Sequence, residues 1–415
     1  MRKIFFPGWE SLGQDFVIEA FKDEGFIIDS YPIPKSEPDQ AKRANLAEEL
    51  VGKILAGGYE FVFTVNFLPV VAIACKASRI KYLSWVYDSP CVEVYSETVA
   101  YDTNCVFIFD RQTCFDLMKK GVNTVHYLPM AADVEYYDNL INNDRPSQSK
   151  NQFDITLNTA SNTTTNTVKI LPSNIPDISF VGSLYTKTPP QFAPLENDNG
   201  YLKGYLDGLI KAQLGIYGAN FLEAALTQEI ILFMQKVCLM PQRIHSMESI
   251  EWIYANYYLT KKVTSQERTE IVKRLSKTGQ NFTLYTDEDT SDIPELNNGG
   301  YLDYYLEAPY IYHQSKINLN ISLRSIHSGI PLRAFDIIGC GGFLLSNYQA
   351  DFLEHFVPDE DFVYYESLDD LKAKVEYYLV NENERKKIAR NGYEKVKSHH
   401  TYRHRVREML DVALG

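Results

Sequence analysis

The sequence predicts an α/β protein made of two doubly wound, Rossmann-like domains in tandem. Three observations carry this. In the first half, short apolar runs alternate with amphipathic helical segments. Residues 140–178 break the alternation with polar, Ser/Thr/Asn-rich chain. At Ile178 an apolar run ending in glycine restarts it.

Lys3–Pro7 reads as a strand ended by Pro7-Gly8, and Gln14–Asp23 as a helix whose Phe16, Val17, Ala20 and Phe21 share one face. Phe26–Tyr31 is a second strand. Ala41–Ala56 is a helix closed by Gly57-Gly58. Strands follow at Phe61–Val65, Lys81–Val86, Val106–Phe109 and Thr124–Leu128, with helices at Pro69–Ala77 and Arg111–Lys119. Such alternation means parallel βαβ units with helices on both faces of the sheet. The second half has strands at Ile178–Gly182, Phe282–Tyr285, Lys316–Ile321 and Gly342–Leu345, a mostly helical stretch over 200–275, and helices at Leu332–Ile338, Asp369–Leu379, Glu382–Ser398 and Tyr402–Leu414. The expected division is 1–172, 173–400 and a terminal helix at 401–415.

A chain of 415 residues has room for two ordinary domains, and 45% hydrophobic with 23% charged residues is a globular composition. The net charge of −13, with no long Lys/Arg run, argues against nucleic-acid binding but not against a nucleotide held by a local basic patch. The 6 cysteines form no CxxC pair, and no His cluster has zinc spacing. Free buried thiols in a reducing cytoplasm are the plain reading. No stretch approaches the ~20 apolar residues of a membrane span, which leaves peripheral membrane contact open.

Two doubly wound domains in tandem form a cleft at the carboxyl ends of their strands, where ligands bind such sheets. The strongest local signal is Ser328-Gly329-Ile330-Pro331-Leu332-Arg333-Ala334-Phe335-Asp336. Ser328, Gly329 and Ile330 lead into a helix N-terminus whose free N–H groups suit an anion. Arg333 adds a charge for phosphate, and Asp336, three residues on, is an acceptor suited to ribose hydroxyls. The same residues also read as a plain helix–turn–strand unit with a surface ion pair. Gly182 and Ser183 follow the first strand of the second domain, where glycine lets a ligand approach the backbone; an ordinary strand-ending turn is the other reading. Lys187, Arg324 and Lys316 are further candidate cations, and Tyr285 ends a strand on the same edge. In the first domain Asp88, in the loop Trp85–Pro90, is the candidate general base, although Asp-Ser-Pro is also good turn chemistry. Gly8, Asn66, Trp85 and Asp110 lie at strand ends beside it, Asn66 and Asp110 doubling as possible helix caps.

The segments Ile178–Tyr185, Ser315–Ser322, Ile330–Leu345 and Asp369–Arg405 resemble the C-terminal domain of CgeB-like, group-1-type glycosyltransferases. Asn66–Pro69, Tyr82–Pro90, Val106–Arg111 and Tyr127–Ala131 resemble the domain of unknown function that often precedes it. The resemblance implies the GT-B architecture, with an acceptor domain first, a donor domain second, a central cleft and no required metal. Related transferases carry a Glu pair separated by seven residues; Asp336 matches its second member, while the first falls on Ser328. The expected activity is transfer of a sugar, a hexose first, from a nucleoside-diphosphate sugar, a UDP-sugar first, to a hydroxyl acceptor. The expected donor contacts are Gly182, Ser183, Lys187, Tyr285, Arg324, Ser328, Gly329, Ile330, Arg333 and Asp336. The expected acceptor contacts are Gly8, Asn66, Trp85 and Asp110, with Asp88 as base and no cofactor. A sugar-nucleotide epimerase or hydrolase, or a non-catalytic sugar-binding protein, are the rival readings.

Overall fold

A computed structural model describes residues 2–34, 40–143, 175–197, 200–241, 243 and 245–415. The expected boundary at 172, and most of the polar connection at 140–178, lie outside the described residues.

The first domain holds six strands, β1 (Arg2–Gly8), β2 (Phe26–Pro32), β3 (Phe61–Val65), β4 (Lys81–Val86), β5 (Asn104–Ile108) and β6 (Val125–Tyr127). They pair in parallel in the order β2-β1-β3-β4-β5-β6. Helices cover both faces, so β3 and β5 are buried along their whole length, which is why they read as unbroken apolar runs. The second domain holds β7 (Ile178–Val181), β8 (Phe282–Tyr285), β9 (Asn297–Asn298), β10 (Ile317–Asn320), β11 (Leu344–Asn347) and β12 (Val363–Tyr365). Its order is β12-β11-β10-β7-β8-β9, again all parallel. The two short strands β9 and β12 were not expected from the sequence; β9 is two asparagines with no apolar side chain, and β12 is only three residues long. In β10, Asn318 and Asn320 are fully buried yet paired: Ser179 Oγ donates to Asn318 Oδ1 at 2.7 Å, and Asn320 Nδ2 donates to Ser346 Oγ at 2.8 Å. Buried amides are tolerated on such terms.

Between β7 and the helix Thr260–Ser276 the chain makes a helical insertion with its own apolar core, including Phe192, Leu206, Ile230, Met234 and Tyr254. The last helix, Tyr402–Leu414, packs on the first, Gln14–Asp23. One apolar cluster therefore runs from Ile4 and Phe63 in the first sheet, through Met130 and Tyr137, to Phe335, Tyr402 and Met409. All six cysteines are buried and unpaired. No helix among the described residues is long and apolar enough to cross a membrane.

A polar seam joins the domains on the far side of β6. The Arg111 N–H donates to Asp351 Oδ2 at 3.1 Å, and the Arg111 guanidinium lies over the Tyr127 ring at 4.6 Å. Tyr127 Oη meets His355 Nε2 at 2.8 Å. The buried Arg405 guanidinium donates from Nε to the Pro129 carbonyl at 2.9 Å. Burial raises the Asp351 carboxyl to about 6, with the charge of Asp110 adding to the rise and the Arg111 N–H opposing it.

A carboxyl whose folded-state value lies above its unfolded value, ~3.9 for Asp, binds its proton more tightly in the folded chain. Its stabilising contribution is complete below pH ~4 and is lost as pH rises towards 6. Asp351→Asn should flatten this part of the stability profile. Urea midpoints for wild type and variant, compared from pH 4 to pH 7, should shift in the variant's favour as pH rises; a constant difference would show that Asp351 does not titrate there.

Candidate active site

In each sheet the strand order reverses at one point, between β1 and β3 in the first and between β7 and β10 in the second. Ligands of open parallel sheets bind where that reversal splays the loops apart. The loops after β7 and β10 face those after β4 and β5, and two adjoining cavities lie between them. One, of about 20 Å³, includes Val86, Asp88, Tyr95, Phe109, Asp110, Trp252, Asn256 and His327 in its wall. The other, of about 190 Å³, includes Tyr185, Gln191, Tyr257, Thr260, Lys261 and Leu323. Ser89, Pro90, Asn256 and Ser325 line both.

Asp88 stands exposed at the edge of the smaller cavity, held by Asn66. Asn66 Oδ1 accepts the N–H groups of Tyr87 at 2.8 Å and Asp88 at 3.1 Å, and its Nδ2 donates to Asp88 Oδ2 at 2.8 Å. To do so Asn66 takes a left-handed backbone, φ 60°, which Asn tolerates better than most residues. Its amide therefore fixes the Asp88 loop and does not cap the next helix, whose N-cap is Leu68. Ser89 Oγ reaches Ser325 Oγ across the cleft at 3.3 Å.

At the start of the Ser328–Ile330 segment the Asp110 carboxylate from the first domain stands where a bound anion was expected. It accepts the His327 N–H at 2.6 Å and the Ser328 Oγ at 3.2 Å, and also caps its own helix through the Thr113 N–H at 3.2 Å. A Cβ on Gly329 would stand 2.9 Å from Asp110 Cα, so glycine there serves domain contact. Ile330 is 1% exposed and belongs to the shared apolar cluster. Thus Ser328, Gly329 and Asp110, expected on opposite ligands, are partners of one another.

Arg333 is likewise committed. Its Nη1 donates to the Val181 carbonyl at 2.6 Å and its Nε to Asn320 Oδ1 at 3.2 Å. A Cβ on Gly182 would fall 2.5 Å from Arg333 Nη1, so that glycine makes room for the guanidinium. Arg268 lies behind it, donating from Nη1 to the Ser183 carbonyl at 2.6 Å and from Nη2 to that of Ile321. Together the two arginines brace the β7 and β10 loops. Arg324 pairs with the buried Glu267 through Nε at 2.8 Å and Nη2 at 2.8 Å, an internal ion pair. Asp336 is buried and accepts the hydroxyls of Tyr137 at 2.7 Å and Tyr304 at 2.6 Å. Desolvation raises its carboxyl to about 7 against the pull of those two bonds. Both oxygens that were expected to meet a ribose are thus occupied by phenols.

The other expected contacts divide by position. Trp85 is fully buried in the first core, against Tyr87 and Tyr402. Gly8 ends β1, its carbonyl taking the Ile33 N–H at 2.9 Å. Tyr285 is buried with its ring against Gly299. Lys187 is exposed beyond the β7 loop. Lys316 precedes β10 and pairs with Asp177, which precedes β7, at 2.9 Å; parallel strands put that pair on the sheet edge opposite the cleft.

What the sequence reading did not single out is the contribution of the helical insertion and the chain that follows it. The helix around Tyr254–Leu259 widens to π geometry, as often at functional sites, and Asn256 and Tyr257 from this turn line the cleft. Asn256 Oδ1 lies 3.3 Å from His327 Nε2. The half-buried Lys261 sets its ammonium 5.3 Å from the centre of the Tyr185 ring, facing Arg268 on the same ring at 5.2 Å. Lys261 is the cation that lines the larger cavity.

Residues 267–411 match a family model described as glycosyl transferase-like. No curated protein matches the chain in sequence. Solved structures do match along its length. A glycosyltransferase from Rickettsia africae shares 12% identity, with 99% of this chain and 98% of that one covered and a TM-score of 0.50. Sucrose-phosphate synthase from Thermosynechococcus elongatus shares 10%, with 99% and 98% covered and a TM-score of 0.51. HepE of Anabaena, in complex with UDP, shares 10%, with 99% of each chain covered and a TM-score of 0.51. Two parallel sheets facing a cleft, aligned end to end with these structures, make this a GT-B protein, and its C-terminal half carries a glycosyl transferase-like domain.

Proposed function

We propose that the protein transfers a sugar from a nucleoside-diphosphate sugar to a hydroxyl acceptor. The observation that carries this reading is the pair of joined cavities at the β7/β10 reversal, with Lys261 on one side and Asp88 on the other. The matched family model and the fold neighbour crystallised with UDP-glucose support a UDP-sugar, and among those a UDP-hexose. The matching segments around Phe180–Ser183 and Ile330–Leu345 support a CgeB-like assignment, and six reduced thiols suit the cytoplasm.

The donor's diphosphate lies against Lys261 and the Ser325 hydroxyl, on loops braced by Arg333 and Arg268. As the acceptor oxygen bonds to the anomeric carbon, the bond from that carbon to the phosphate oxygen breaks and its electron pair leaves with the diphosphate. Lys261 offsets the charge that develops there, which makes a metal unnecessary. With inversion, Asp88 takes the acceptor's proton; with retention, the departing phosphate takes it and Asp88 holds the acceptor. One observation favours the non-catalytic rival: the amides of the Ser328 segment hold Asp110, and so are not available to a phosphate in this closed arrangement.

Release of UDP from UDP-glucose, followed with and without an acceptor mixture and with EDTA, separates the readings. Acceptor-dependent release that survives EDTA is expected. Release of free glucose without acceptor would mean hydrolysis, and UDP-glucose binding without any release would mean a binding protein. Asp88→Asn should lower kcat by ~10²–10⁴ while UDP affinity stays unchanged; a fall in UDP affinity instead would move Asp88 to the donor side. Lys261→Ala should weaken UDP binding, measured by calorimetry, by ~1.5–3 kcal/mol, the range for a hydrogen bond to a charged group. Equal affinity would remove Lys261 from the site.

A further inference from the structure

One carboxylate clamps the loop after β7 from the neighbouring strand. Glu288, just past β8, takes the Tyr185 N–H on Oε1 at 2.9 Å. Its Oε2 takes the Thr186 N–H at 3.2 Å and the Thr186 hydroxyl at 2.9 Å. The backbone of Glu288 is fixed in turn. Its N–H donates to Thr286 Oγ1 at 3.3 Å, and Asn298 Nδ2 from β9 donates to its carbonyl at 3.4 Å. Asp287 and Asp289 on either side are exposed, so of these three acids Glu288 is the one that turns inward. The clamp holds Tyr185 at φ 57°, a left-handed conformation that bulky side chains seldom take. Such a conformation persists only where the surrounding contacts over-determine it.

What the clamp places is a ring. The Tyr185 ring lines the larger cavity, with the Lys261 ammonium 5.3 Å from its centre and the buried Arg268 guanidinium at 5.2 Å. Two adjacent lysines then differ. Lys262 pairs with Glu196 at 3.2 Å. Lys261 makes no ion pair among the described residues, and the aromatic ring is what sets its ammonium beside the cavity. A half-buried cation without a counter-charge is an incomplete pair, and its hold on a ring depends on the ring's position.

We propose that Glu288 is a positioning residue of the donor site: by locking Tyr185 it sets the Lys261 ammonium against the diphosphate. This rests on the reading above that Lys261 meets the donor. Glu288 itself stands outside the walls of both cavities and acts through the ring.

Calorimetry with UDP on wild type, Glu288→Ala, Lys261→Ala and the double variant tests it as a cycle. Glu288→Ala should weaken UDP about ten-fold when Lys261 is present, and less than about two-fold when it is already alanine. Tyr185→Leu, which removes the ring and keeps the backbone clamp, should weaken UDP as Glu288→Ala does. Without ligand, acetylation of Lys261 by acetic anhydride, followed by peptide mass spectrometry, should run several-fold faster in Glu288→Ala, because the ring no longer covers the ammonium. Equal losses of UDP affinity in both backgrounds would show a merely structural loop contact and overturn the proposal, as would an unchanged acetylation rate. UDP affinity untouched by Lys261→Ala would instead remove the donor reading at that lysine, and the positioning role with it.

Discussion

The Asp110 carboxylate holds the two domains in register. It sits 2% exposed at the end of β5, caps its own helix, and takes donors from His327 and Ser328 on the opposing lobe. Buried carboxylates persist only when hydrogen-bonded this fully, and removing one partner from such a group costs far more than an exposed pair would. Because Asp110 takes the His327 and Ser328 amides in this way, the chain just before the helix that starts after Pro331 is committed to domain contact, and the cavities open beside the neighbouring loops. Ser325 shortly precedes the His327 and Ser328 donors, so that contact also holds its loop beside the cleft.

A second buried carboxylate repeats the pattern. Asp336 receives Tyr137 from the segment that follows the first sheet and Tyr304 from the chain between β9 and β10. Tyr305, next in sequence, accepts the Gly13 N–H at the first turn of the first domain. Phenols thus occupy positions that the loops of the two sheets leave between them. They rigidify the closed arrangement, because each hydroxyl is spent in a hydrogen bond between elements of the two lobes or their connecting loops.

The fold was legible in the sequence because parallel strands buried on both faces read as short, mostly apolar runs, as in Phe61–Val65. Asp88 stood out as a candidate because it follows such a strand directly, and it lines the smaller cavity. The charges were not, since Arg324, Arg333 and Lys187 look alike in sequence while one pairs with Glu267, one braces carbonyls and one is exposed. Lys261 and Asn256 were hidden for another reason. They sit in a long helical stretch whose apolar spacing reports only its own core, and a π turn shifts which side chains face outward. The aromatic run Trp252–Tyr258 was the available signal, but half-buried tyrosines serve packing as readily as binding.

The helical insertion bridges to the first domain where Ser246 pairs antiparallel with Ser96, and this has a mechanical consequence. The final helix already ties the second half back onto the first near Phe16, so the lobes are fastened at more than one place around their contact. Two plates pinned at separated points do not gape like a hinge; they slide or twist by small amounts. Any molecule that reaches the cavities between them enters along the remaining open rim.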